Sequence, residues 1–220
     1  MKNKDGGTLF SRKEEVRLTN EDKLLSLANN KDTGIKDIEN FINNNTVDIN
    51  CEDIINNTPL IYAIENNRID IVELLIDKGA DVNKISGENI TPLRVAIYEN
   101  KNIDIFNLLI NKGADIKYIN TKGQTYLMLA CNSLNYKMMN IVYDINLFKV
   151  LLSKIDVNLK DNDSNTCIDY INDIKIKDYF LELKNLILCD ELIMYFYHST
   201  IDFNIDDIEN ITISIISKFF

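Results

Sequence analysis

The chain lacks the ordinary equipment of a catalyst. His198 is its one histidine in 220 residues, and no serine or cysteine motif accompanies it. A lone histidine is far more often a packing or surface residue than a catalyst, and no constellation here meets the needs of an active site. The four cysteines, Cys51, Cys131, Cys167 and Cys189, are widely spaced with no Cys-x-x-Cys pair. They read as small buried hydrophobes in a reducing compartment, and offer no metal-ligand spacing. Gly6-Gly7 is not followed by the lysine and strand–helix context of a phosphate loop. Asp161-x-Asp163-x-Asn165 opens like a calcium loop, but Thr166 stands where glycine is required and Asn172 where the closing glutamate belongs. It reads as a polar turn. No enzyme activity, cofactor, metal or small-molecule substrate is expected.

Positive charge is also in deficit. The net charge is −10, and the longest basic run, Ser11-Arg12-Lys13, meets Glu14-Glu15 at once. Such a surface repels phosphate backbones and anionic lipid, so neither nucleic acid nor membrane is an expected partner. Met1 to Thr19 is polar without a secretory apolar core, and no apolar run reaches membrane-spanning length. A cytoplasmic home is the expectation. What the chain does have is a 45% hydrophobic share, which predicts a globular fold. Isoleucine dominates that share. Asparagine, lysine and aspartate are abundant beside it, a composition typical of AT-rich genomes.

A period then emerges. Thr58-Pro59-Leu60-Ile61-Tyr62-Ala63-Ile64 recurs 33 residues on as Thr91-Pro92-Leu93-Arg94-Val95-Ala96-Ile97. Ile69-Asp70-Ile71-Val72-Glu73-Leu74-Leu75-Ile76 recurs from Ile103 to Ile110, and Lys78-Gly79-Ala80-Asp81-Val82-Asn83 recurs from Lys112 to Lys117. Thr58 and Thr91 predict helix N-caps, with proline at the first helical position. Ala63 and Ala96 suit close helix contact. The apolar residues Ile71, Val72, Leu74, Leu75 and Ile76 predict a second helix, closed by a left-handed glycine at Gly79 and, one repeat later, at Gly113. Two short helices cannot bury their apolar faces alone, so the units must stack.

Fainter copies flank the central pair. Thr19-Asn20 predicts the cap of a helix over Glu21–Ala28, followed by Ile35–Ile42. Downstream, Thr125–Ala130 is a further first helix, and its partner over Leu147–Leu152 is delayed by an insertion within Cys131–Tyr143. A fifth unit starts at Thr166-Cys167-Ile168 and runs into the apolar stretch Ile174–Leu188.

This unit resembles the ankyrin repeat, whose Thr-Pro-Leu-His-x-Ala and Gly-Ala-Asp-Val-Asn motifs are nearly spelled out. Ile61, Arg94 and Met128 replace the motif histidine, and Asn56 and Asn89 replace the turn glycine kept at Gly123. The resemblance implies an all-α ankyrin solenoid of about five helix-turn-helix repeats with short β-turn tips, near 19–52, 53–85, 86–119, 120–160 and 161–189. A polar tail over 1–18 precedes it, and a C-terminal helical cap over 190–220 follows. It also implies protein binding through the tips and the exposed side of the first helices. Carried over by position, the tip sites are Ile54, Ile55 and Asn57, then Gly87, Glu88 and Ile90, then Thr121, Lys122 and Gln124. The first-helix sites are Glu65 and Asn66, Tyr98 and Glu99, and Asn132 and Ser133. The outer face and the insertion at 133–143 are alternative surfaces.

Divergent repeats with this composition and an irregular insertion resemble the small ankyrin proteins of poxviruses. That likeness implies a host-range or immune-evasion factor, blocking a host antiviral or NF-κB-type signalling protein in the host cytoplasm. The F-box-like start that ends larger members is not found in Asp190–Phe220, so a ligase-adaptor role is not expected. An ankyrin scaffold or effector of another AT-rich bacterium or eukaryote is the alternative.

Overall fold

Threonine hydroxyls start the first helix of each repeat. In the computed structural model, which describes residues 18–87, 89–98, 103–133, 141–172 and scattered positions over 174–185, Thr19 caps α1 (Asn20–Asn29) in a reciprocal box with Asp22. Thr58 accepts from the Ile61 N–H at 3.2 Å to cap α3 (Pro59–Glu65), and Thr91 from the Arg94 N–H at 3.1 Å to cap α5 (Pro92–Tyr98). Thr125 does the same for α7 (Tyr126–Ser133), accepting from Met128 at 3.3 Å. The second helices are α2 (Ile35–Asn44), α4 (Ile69–Asp77), α6 (Ile103–Asn111) and α8 (Ile141–Lys154).

Stacking follows from which faces are apolar. First helices pack in succession, α1 on α3, α3 on α5 and α5 on α7, and the second helices pack likewise. Ala28, Ala63, Ala96 and Ala130 are all buried between first helices, where only a small side chain lets the backbones approach. The second helices contribute Ile71, Val72 and Leu75, then Ile105, Phe106 and Leu109, then Leu147, Phe148 and Leu151 to one continuous core. Phe180 closes its far end edge-on to Phe148, with ring centroids 5.2 Å apart. This is a helical repeat solenoid. Among the described residues the only β features are isolated bridges at the tips, Ser86 with Ile90 and Ile119 with Thr125.

Helix ends show how closely the repeats copy one another. Gly79 and Gly113 adopt left-handed φ of 99° and 94°. The Ala80 and Ala114 N–H groups reach back five residues, to Leu75 and Leu109 at 2.9 Å, completing the glycine C-cap motif. In repeat four Ser153-Lys154 replaces Lys-Gly, and the left-handed cap is lost. α8 therefore runs on to Lys154, and Ile155 bonds only four residues back to Leu151. The helix is longer at both ends than the Leu147–Leu152 expectation, because nothing in the sequence stops it there. Its side chains over 141–146 and the insertion core at 134–140 lie outside the described residues.

The fifth unit corrects another expectation. Thr166 caps a four-residue 3-10 turn, Cys167–Tyr170, in place of a full first helix. Ile171 is already extended, and the segment has no proline at its start or alanine for a closer helix approach. The tail over 1–17, His198, Cys189 and the cap expected over 190–220 lie outside the described residues.

Candidate interaction surface

Each tip is a five-residue loop tied down by its own first residue. Asp53 Oδ1 accepts from the N–H of Ile55 and of Asn57, both at 2.9 Å, while its own N–H reaches the Asn57 carbonyl at 3.1 Å. Asn120 repeats this with Lys122 and Gln124 at 2.9 Å, and Asp161 with Asp163 and Asn165 at 3.0 and 2.8 Å. The fourth residue of each tip must be left-handed, and is Asn56, Asn89, Gly123 or Ser164 with φ from 63° to 77°. The tips are thus rigid platforms for whatever the intervening side chains do.

The two aspartate tips carry a further tie. The Tyr62 hydroxyl donates to Asp53, and the Tyr170 hydroxyl to Asp161, nine residues on in both cases. Partial burial pushes the Asp53 carboxyl up, but the Tyr62 hydroxyl and the Asn57 and Ile55 amides outweigh it and hold the group below its ordinary value. Tyr170, then the Asn165 amide, hold Asp161 down in the same way, and burial followed by the facing carboxylate raises both phenols. At the inner tips the same pairs of positions hold Ser86 with Val95 and Asn120 with Leu129, so no tyrosine–carboxylate pair forms there. Ser86 is 1% exposed and its hydroxyl has no hydrogen-bond partner.

These details sort the sequence-predicted residues. Ile54 is fully exposed at 100%, Ile55 at 61%, and Glu65 and Lys122 are also exposed. Asn57 is not a surface residue. It closes the tip beside the Thr58 cap, is 8% exposed, and turns its side chain to the Tyr62 hydroxyl. Asn66 is likewise committed to the fold: its Nδ2 donates to the Asn29 and Ala28 carbonyls at 2.9 and 3.3 Å, sealing the end of α1. Ile90 and Tyr98 are half-buried and packed on the core. Gln124 spends its Nε2 on the Tyr170 hydroxyl at 2.7 Å. Glu88 and Glu99 lie outside the described residues.

One concavity gathers some of them. A groove of about 550 Å³ opens between the Ser86–Ile90 and Asn120–Gln124 tips. The tip residues Gly87, Thr121, Lys122 and Gln124 line it, and Arg94, Asn89 and Ile85 join them. Asn89 fixes its width, donating to Thr121 Oγ1 at 2.8 Å and accepting from the Tyr118 hydroxyl at 3.2 Å. Arg94 donates to the Asn89 carbonyl at 3.1 Å, with its guanidinium 5.7 Å over the Tyr98 ring. Arg94 was visible only as a departure at the motif histidine position, where Ile61 and Met128 are buried. Among the described residues no cluster of acidic, histidine or cysteine side chains could hold a metal ion, and no helix is long and apolar enough to cross a membrane.

Comparison with known proteins agrees with this geometry. A three-copy ankyrin-repeat model matches residues 9–86 and a single-repeat model matches 88–121, together about half of the chain. Over 59 residues the chain is 37% identical to alpha-latrocrustotoxin-Lt1a of Latrodectus tredecimguttatus, covering 27% of this chain and 4% of the toxin. An ankyrin repeat protein of fowlpox virus is 43% identical over 47 residues, 21% of this chain and 11% of that protein. An ankyrin repeat protein of Rickettsia bellii is 33% identical over 76 residues, 32% of this chain and 45% of that protein. The chain therefore spans less than half the length of each of these relatives.

Proposed function

Because this chain belongs to the ankyrin-repeat family, a family of protein–protein interaction modules, we propose that its tips and first-helix face hold a partner protein. The observation that carries this reading is the contrast within a single tip. Asp53 locks the loop backbone in place, while Ile54 and Ile55 project from it at 100% and 61% exposure. An isoleucine held rigidly in water contributes nothing to the stack, and its burial against a partner is favourable by about 1.5–3 kcal/mol.

The finer reading is a host-range or immune-evasion factor that binds and blocks a host antiviral or innate-signalling protein of the NF-κB type in host cytoplasm. The likeness to the fowlpox protein and the isoleucine- and asparagine-rich composition support it. The likeness to the Rickettsia bellii protein supports the second reading, a bacterial scaffold or effector of the same architecture.

Affinity capture from vertebrate cell extract tests both levels, comparing the wild type with an Ile54→Ser/Ile55→Ser variant. Loss of one antiviral or signalling protein from the variant is the expected result. Retention of that protein would move the surface away from this tip. Capture of no host protein by the wild type would sink the host-factor reading.

A further inference from the structure

We propose that Cys131 and Cys167 form a reversible disulfide that staples the fifth unit onto repeat four. It closes by exchange with a small-molecule disulfide such as oxidised glutathione. The staple belongs to the chain itself, whichever partner the tips hold.

Proximity carries it first. Cys131 lies in the last turn of α7, and Cys167 opens the Cys167–Tyr170 turn that packs against that helix. Both are free thiols, at 0% and 1% exposure. The Cys131 thiol donates to the Cys167 sulfur, and Cys167 Sγ donates in turn to the Val157 carbonyl at 3.5 Å. Two thiols in hydrogen-bond contact already direct their sulfurs at one another, which is the orientation a disulfide requires. Cys51 stands apart from them, with its Sγ on the Glu21 carbonyl at 4.0 Å. Burial, then the Asp48 and Glu21 carboxylates, push the Cys51 thiol up to about 11, so it stays protonated and unreactive.

Comparison of the repeats is the second observation. The residues at the Cys131 position in the two preceding repeats are Ile64 and Ile97, and those at the Cys167 position are Pro59, Pro92 and Tyr126. The pairs that match Cys131 and Cys167 at the two preceding joints are therefore Ile64 with Pro92 and Ile97 with Tyr126. Stacking needs no sulfur at either position. Both positions carry a thiol where repeat four meets the fifth unit, and at neither of those preceding joints.

The two thiols are also unlike, as attacker and resolver must be. The Cys131 hydrogen bond outweighs burial and holds the Cys167 thiol below its ordinary value, with the Lys184 charge helping. Burial holds Cys131 well above its own. Cys167 is the first residue of a four-residue turn that replaces a full helix, so local opening of that turn uncovers its sulfur first. The Cys167 thiolate then attacks one sulfur of oxidised glutathione, and a glutathione thiolate leaves. Cys131, losing its proton, attacks the Cys167 sulfur of the mixed disulfide and expels the second glutathione. Two thiols are oxidised and one glutathione disulfide is reduced, with both protons ending on the released glutathiones. Excess reduced glutathione drives the same steps backwards.

The test is to hold the whole folded chain in glutathione buffers of graded redox poise, quench with acid, and map the cysteines by mass spectrometry. The oxidised chain should lack two hydrogens and yield a linked peptide pair containing Cys131 and Cys167, with Cys51 free. Closing a loop of 167 − 131 = 36 residues should raise the melting midpoint by several degrees. Amide exchange at Asp169 and Ile171, whose N–H groups bond within the turn, should slow by about tenfold or more in the oxidised wild type. Cys51→Ala should keep the link, whereas Cys167→Ala should abolish it. A folded chain that stays reduced in oxidised glutathione alone overturns the proposal. So does one that stops at a mixed disulfide, links either residue to another cysteine, or forms the bond only in denaturant. Those outcomes leave the interaction-module reading standing, because that reading is judged by partner capture through Ile54 and Ile55.

Discussion

Where repeat one meets repeat two, Asn50 accepts from the Asp81 N–H at 2.8 Å and donates to the Gly79 carbonyl at 3.2 Å. Asn83 does the same one joint later, with Asp115 at 2.8 Å and Gly113 at 3.0 Å. At the next joint the corresponding residue is Lys117, and Lys154 stands where the glycine carbonyl partner would be. A cavity of about 240 Å³ lies there, lined by Ile116, Lys117, Lys154 and Asp156 among others. Repeats three and four are instead tied at the tips, through Asn89 to Thr121 at 2.8 Å and Thr91 to Tyr126 at 2.6 Å, and at the first-helix ends through Asn132 to Tyr98 at 3.4 Å. The same stacking can thus be secured by asparagines after the second helices or by contacts between the tips. Securing it from the tips also stiffens the surface that carries the groove.

The largest expected effect breaks the tip-side tie. A Cβ on Gly123 would lie 2.6 Å from Asn162 Oδ1 and 2.8 Å from its backbone nitrogen, with φ at +77°. Gly123→Ala must displace the Asp161–Asn165 tip and should cost about 2–4 kcal/mol. Gly113→Ala meets open space and bears only the left-handed penalty at φ +94°, about 1 kcal/mol. Urea midpoints at constant slope measure both, and equal losses would show that the repeat-four and repeat-five tips do not press together.

A middle-sized effect concerns the asparagine joints. Asn83→Ala removes two hydrogen bonds across a joint and should cost about 1–2 kcal/mol. Lys117→Ala, at the same position one repeat later, should stay within about 0.5 kcal/mol. Similar losses at the two positions would erase the distinction between the joints.

The smallest effect is the pH dependence of the aspartate tips. The Asp53 carboxyl is held below its ordinary 3.8, so its contribution is complete above that value and is lost as pH falls through the lower, folded value. The Tyr62 phenol is raised above 10.0, so its share is present below pH 10 and lost as pH rises through the folded value. Tyr62→Phe should flatten the stability profile at both extremes, by less than about 1 kcal/mol at neutral pH. Thermal melts at pH 3, 7 and 10.5 read this out, and an unchanged acid limb would mean that Asp53 is held by its backbone donors alone.

Most of the fold was legible in the residues. Threonine caps, the Pro59 and Pro92 helix starts, the left-handed glycines and the spacing of buried isoleucine and leucine act within four or five residues, so they announce themselves in order. The lengthened α8 was not visible, because it follows from a missing stop at Ser153-Lys154 rather than from a positive signal. The surface was legible only in part. Ile54, Ile55 and Lys122 are exposed at the tips, whereas Asn57 and Asn66 are turned to structural work by the tip beside one and the preceding helix end beside the other.

The sequence alone determined where the helices of the two central repeats start and stop, and that the repeats must stack, since caps and helical periodicity are local and each unit's apolar face is unpaired by itself. The tertiary structure decided what lies across the joints. Asn83 on Gly113, Asn89 on Thr121, and Arg94 and Lys122 lining one groove are about 30 residues apart in the chain. Their meeting depends on how one repeat is set on the next, a distance and angle that no short run of residues encodes.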